Sequence, residues 1–163
     1  MKKYISILFC LSIFSTITVK SQDYKELKDV VLTDSISCLQ AQTQVLECSK
    51  YLLSTPCKQE LNSLYASDYV IQWMSKTPNY TFTINEKFYK SIEGDLLLTS
   101  RYYASMAKVA IESTTPLTED QLQFEAISDF LTYCCNTKYK VIPSKKLQKY
   151  IDAKKGNTLK DSL

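Results

Sequence analysis

Five cysteines beyond residue 21, a single arginine and two close pairs of carboxylates are the residues of this sequence with the strongest claim to chemistry. The cysteines are Cys38, Cys48, Cys57, Cys134 and Cys135. Their number is odd, so at least one thiol stays free or pairs with another chain. No C-x-x-C spacing occurs, which argues against a thioredoxin-type dithiol. Cys134 and Cys135 are neighbours, about 100° apart on a helix, so different fates are expected for them. Cys48 and Cys57 flank a helix-to-helix turn and could pair, and Cys38 could reach Cys134 only if their helices touch. The competing reading makes all of them small apolar core residues. Cys57 follows Thr55-Pro56, which reads as an N-cap and first helical position. A helix dipole at that place would lower the thiol pKa. Cys57, Cys134 and Cys135 are therefore the candidate reactive thiols.

Arg101 is the only arginine, and its planar fork suits a carboxylate or phosphate. Its spacing to Ser105, Lys108 and Glu112 instead predicts a narrow polar stripe facing solvent. Tyr65, Tyr69, Trp73 and Tyr80 could form an aromatic surface for sugars or peptides, against the plainer expectation of core packing. Arg101, Trp73, Tyr69 and Tyr80 are the candidate binding residues. Glu93/Asp95 and Glu119/Asp120 supply paired carboxyls, which suffice for glycoside cleavage without histidine. Their places at helix starts are explained equally by the helix dipole.

No histidine is present. That removes Ser-His-Asp and Cys-His nucleophile systems and His-ligated zinc. The two glycines, Gly94 and Gly156, lie far apart and cannot build a phosphate-cradling loop. No catalytic residue, metal ligand or cofactor is assigned.

The elements that would hold these residues follow from pattern. Lys2 and Lys3 precede a charge-free run from Tyr4 to Val19, shorter than the ~20 residues of a membrane-spanning helix. Val19-Lys20-Ser21 then offers a cleavage site. Residues 1–21 read as a secretory signal cut after Ser21. An anchor, or a lipoprotein on Cys10, is the alternative, but Phe9 stands where lipid attachment wants a small residue. Lys2, Lys3 and Lys20 account for the whole net charge of +3. The remainder is formally neutral, which disfavours nucleic acid. Its charge is uneven: residues 136–163 hold eight lysines against Asp152 and Asp161, a solvated face or a patch for an anionic surface.

Helical spacing begins at Ser35, with Leu39, Val45, Leu46, Leu52 and Leu53 on one stripe. A second helix is expected from about Pro56 to Lys76, with Leu64, Val70, Ile71 and Met74 inward and Ser63 and Ser67 permitting close approach. Tyr80 to Ile84 alternates like a strand but has no partner, so it reads as an extended connection laid on the core. A short helix follows from Glu86. The helix from Asp95 is apolar enough to be central. Thr118 and Gln121 form a capping box for the next helix. Ser144 caps a last, basic helix with Leu147, Tyr150 and Ile151 inward, ended by Gly156.

The run Trp73 to Ile84, and the ending from Leu147 to Gly156, resemble uncharacterised exported helical proteins of Bacteroidota-type bacteria. The resemblance implies export, a helical fold and a Gram-negative envelope setting, and carries no activity. The expectation is therefore an all-α compact bundle or short array of about five helices. It occupies residues 22–156, with a flexible tail at 157–163. The function expected is a periplasmic or secreted, non-enzymatic interaction module for an envelope protein or small ligand, without a stable membrane span. A thiol-dependent redox or binding protein is the alternative, and a histidine-free carboxylate hydrolase a distant one.

Overall fold

The computed structural model describes residues 23–163; the expected signal, its cut and Cys10 lie outside the described residues. The described chain is helical. A 3-10 turn at Lys25–Asp29 is followed by α1 (Ser35–Ser54), α2 (Leu61–Lys76), α3 (Glu86–Tyr89), α4 (Leu96–Glu112) and α5 (Glu119–Cys135). A second 3-10 turn at Thr137–Tyr139 leads to α6 (Lys145–Lys155) and α7 (Leu159–Ser162), and no strand occurs among the described residues. No helix among them is long and apolar enough to cross a membrane.

Local chemistry sets most of the boundaries. Asp34 and Ser37 form a capping box that starts α1, and Thr118 and Gln121 form the expected one at α5. Asp95 caps α4 through Leu98 N–H, and Ser144 caps α6 through Leu147 N–H. Each satisfies an amide that the helix itself cannot. Gly94, at φ +85°, supplies the left-handed turn that separates α3 from α4.

α4 is the shared wall of two cores, a first shared with α1 and α2 and a second shared with α3, α5, α6 and α7. Leu98, Tyr102 and Met106, four residues apart, pack with Phe88 of α3, Phe130 of α5 and Tyr150 of α6. On another face of α4, Ala104 and Ala107 meet α1 and α2 with little side chain between them, beside Val45, Leu52, Val70 and Trp73. The segment at 80–84 is an extended connection. Tyr80 and Phe82 rest against Trp73 at 5.6 and 6.0 Å between ring centroids. Gln123 Nε2 on α5 donates to Thr83 Oγ1 at 2.7 Å.

Four expectations are corrected. The second helix begins at Leu61 rather than Pro56. Thr55 closes α1 instead of capping α2, because its hydroxyl donates to Tyr51 O at 2.9 Å. The chain after Gly156 is not a loose tail: it winds into α7, whose Leu159 is buried in the second core. Finally, α1 and α2 bury only part of their expected apolar stripes. Val45, Leu52 and Val70 are buried, with Ser63 and Ser67 at the close approach as expected, but Leu39, Leu64 and Ile71 face solvent, while Cys38, Ala41, Cys48, Ala66 and Trp73 point inward. Small residues line these helix contacts because the α1, α2 and α4 backbones approach closely there.

Candidate functional site

The structure turns Arg101 inward. It is 1 % exposed, and of the polar stripe expected to face water only Glu112 is exposed, while Ser105 and Lys108 lie in a seam between helices. Ser105 Oγ donates to Asp129 Oδ2 at 2.9 Å and Lys108 Nζ to Asp129 Oδ1 at 2.7 Å, joining α4 to α5. Glu112 pairs with Lys50 of α1 at 2.8 Å. Flanked on both sides by packed helices, α4 has no broad solvent face for a stripe to occupy. Arg101 ends the seam beneath the Thr55–Cys57 turn. Its Nη1 donates to Ser100 Oγ at 3.1 Å and Nη2 reaches Pro56 O at 3.4 Å, while its Nε is buried without a partner.

That turn is held from three directions. Tyr133 Oη donates to Thr55 O at 3.0 Å, Cys57 N–H donates to Tyr139 O at 2.8 Å, and Arg101 binds Pro56 O from below. Tyr133 and Tyr139 stack at 4.7 Å. The Cys57 thiol is half-buried in this corner. It does not sit at a helix start, so the expected activation by a helix dipole is absent. Burial pushes its pKa up, opposed by the Arg101 charge and the Tyr133 hydroxyl.

All five described cysteines are free thiols. Cys38 and Cys48 belong to the first core, whereas Cys134 belongs to the second and Cys57 packs against it. Neither anticipated bridge, Cys48–Cys57 or Cys38–Cys134, is formed, because the two cores lie on different faces of α4. Burial pushes Cys48 up to about 12 and raises Cys134 as well. Cys135 is exposed, so the adjacent pair does divide as its helical geometry requires.

The aromatic candidates separate too. Trp73 and Tyr69 are core residues, 0 % and 5 % exposed, and form no surface. Trp73 Nε1 is spent on Cys38 O at 2.9 Å. Tyr65 is half-buried against the first core. Only Tyr80 lies on an open feature, a groove of about 510 Å³ between residues 79–81, the end of α4, the loop at 113–117 and the start of α5. Asn79, Thr81, Thr114 and Thr115 bring amide and hydroxyl groups to it, Leu117 and Leu122 apolar surface, and Glu119 a carboxylate. Beyond Tyr80 and the carboxylate Glu119, the sequence pattern carried no hint of these residues, since Asn79 and Thr114-Thr115-Pro116 carry only the ordinary signature of helix-ending turns.

The paired carboxylates are divided among other tasks. Asp95 is engaged as the α4 cap, Glu119 borders the Tyr80 groove, and Glu93 lines a separate shallow cleft with Phe82, Glu86 and Lys90. Asp120 lies in the first turn of α5. Among the described residues no group of His, Cys, Asp or Glu is placed to hold a metal ion. Comparison with family models, with curated proteins and with solved structures finds no match to this chain.

Proposed function

We propose that this protein is an exported, non-enzymatic binding module of the cell envelope, and that the Tyr80 groove takes a short, uncharged glycan. The groove carries this reading. Its volume, about 510 Å³, is in the range of small-ligand sites. The Tyr80 ring offers a face on which a sugar can stack. Asn79, Thr81, Thr114 and Thr115 supply neutral donors and acceptors around it. The basic start, charge-free run and small residue at Ser21 support export, in keeping with the envelope setting that the resemblance implies.

Trp73 reports on the groove, because its ring lies 5.6 Å from that of Tyr80. Titration with neutral envelope oligosaccharides should shift its emission saturably, and Tyr80→Ala should remove the response while leaving the fold intact. An unchanged response in Tyr80→Ala, or none in the parent protein, overturns the glycan reading. Export is tested separately: the mass of the protein recovered from its native cells should correspond to a chain beginning at Gln22, and an intact leader would refute it. The thiol-dependent alternative rests on the Arg101 charge beside Cys57, and would be favoured by alkylation at neutral pH faster than that of free cysteine.

A further inference from the structure

A second site lies away from the Tyr80 groove, where α3 meets α6 and α7. Lys87, Ser91, Lys146, Lys149, Tyr150 and Ser162 line a cleft of about 300 Å³. Three of the six carry an ammonium and none a carboxylate. Lys87 Nζ is held over the cleft by donating to Ser162 O at 2.7 Å. Lys146 and Lys149 take no ion pair among the described residues.

Two further features make the cleft suited to an anion. First, α6 begins with Lys145 and Lys146 and has no acid in its first turn. The N-terminal end of a helix is its positive end, where cations are disfavoured and anions favoured. Second, Ser91 is 6 % exposed, lines the cleft, and its hydroxyl has no hydrogen-bond partner. A buried hydroxyl left unpaired is costly unless something else engages it. The Ser144 cap cannot, since its own hydroxyl already donates to Ser91 O and accepts from Leu147 N–H.

We infer that this cleft binds a phosphate group, with the Ser91 hydroxyl donating from below and Lys87, Lys146 and Lys149 neutralising it from the rim. The carboxylates of the adjoining elements do not compete. Asp152 accepts from Gln148 Nε2 on α6, and neither Glu86 nor Asp161 lines the cleft. The phosphate can arrive free, as inorganic phosphate or a small ester, or as a lipid headgroup; the recognition chemistry is the same.

The purified protein is titrated with inorganic phosphate and with pyrophosphate at fixed ionic strength, chloride serving as control, and binding is followed by amide NMR shifts. In a parallel arm it is sedimented with vesicles of phosphatidylglycerol and phosphatidylcholine, or of phosphatidylcholine alone. Lys146→Gln combined with Lys149→Gln should weaken binding by at least ~10-fold, since charge-assisted hydrogen bonds are lost. Lys140→Gln with Lys155→Gln, an equal change of net charge elsewhere, should change it by less than ~2-fold. Ser91→Ala should weaken binding by about 3-fold without lowering stability, because it removes an unsatisfied hydroxyl. Saturable phosphate binding with this pattern identifies a free phosphate ligand. The same pattern with anionic vesicles only identifies the headgroup. No saturable binding in either arm, or equal losses in the two lysine pairs, overturns the proposal. The glycan reading of the Tyr80 groove stands or falls independently.

Discussion

The indole N–H of Trp73 donates to the main-chain carbonyl of Cys38 at 2.9 Å, and both residues are fully buried. The bond ties the last third of α2 to the first turn of α1 across the centre of the first core. It also explains the setting of α2, which turns Trp73 inward and leaves Leu64 and Ile71 in water.

Trp73→Phe keeps an aromatic ring but loses this bond and leaves space beside Cys38. It should lower the unfolding free energy by about 2–3 kcal/mol. Trp73→Ala should cost about 3–5 kcal/mol. Urea denaturation followed by far-UV circular dichroism measures both. A Trp73→Phe protein as stable as the parent would show that the bond contributes nothing.

Asp129 is the hub of the seam between α4 and α5, accepting from Ser105 and from Lys108. The Lys108–Asp129 pair is mostly shielded, with side chains 24 % and 26 % exposed. Asp129→Ala strands both donors and should destabilise by about 2–3 kcal/mol, whereas Ser105→Ala alone should cost ~1 kcal/mol. Because the two residues share one bond, the double variant should be less destabilised than the sum of the single changes. Strict additivity in such a cycle would sink the network.

Burial also makes stability fall at alkaline pH. Cys48 is raised to about 12 in the folded protein and Tyr102 likewise to about 12. Both are held as neutral acids that ionise more readily once unfolded. Above pH 9 the folded state therefore binds more protons than the unfolded one, and stability falls as pH rises toward 12. Below pH 9 the contribution is complete. Each such group steepens the fall by up to about 1.4 kcal/mol per pH unit. Urea midpoints measured between pH 8 and 11 should decline, and decline less steeply in Cys48→Ala. A flat profile in the parent protein contradicts the assignment.

Helix starts were legible in the sequence wherever one side chain settles them. The Thr118–Gln121 box, the Asp95 and Ser144 caps and the end at Gly156 depend on residues only a few positions apart. The inner face of α6 was legible, since Leu147, Tyr150 and Ile151 are buried as expected, but the orientation of α1 and α2 was legible only in part, because it depends on contacts between distant parts of the chain. Leu39, Leu64 and Ile71 fit an apolar stripe as well as the residues that do face inward. The close approach of α1, α2 and α4 favours Cys, Ser and Ala instead. The stripe Arg101–Ser105–Lys108–Glu112 failed for the same reason: polar residues at helical spacing look alike whether they meet water or the carboxylate of Asp129. Thr55 shows a smaller version, since its hydroxyl can serve the helix before it or the one after. The Tyr80 groove and the Ser91 cleft are assembled from turns and helix ends that meet only in the folded chain.

Arg101 yields the sharpest contrast between two substitutions at one site. Its guanidinium is buried, makes no ion pair among the described residues and leaves Nε unpartnered. A charge in that position has lost its hydration and recovered little from the carbonyl of Pro56 and the hydroxyl of Ser100. Arg101→Met, which retains much of the volume without the charge, should therefore change stability by less than ~1 kcal/mol or raise it. Arg101→Ala leaves a cavity beneath the Thr55–Cys57 turn and should cost about 2–4 kcal/mol. The two variants should agree on the neighbouring thiol. Removing the positive charge leaves burial less opposed at Cys57, so its pKa rises further. Its alkylation at pH 8 should slow, while that of the exposed Cys135 stays unchanged and serves as the internal reference. Faster alkylation of Cys57 in Arg101→Met would mean that the arginine shields the thiol rather than favouring its ionised form.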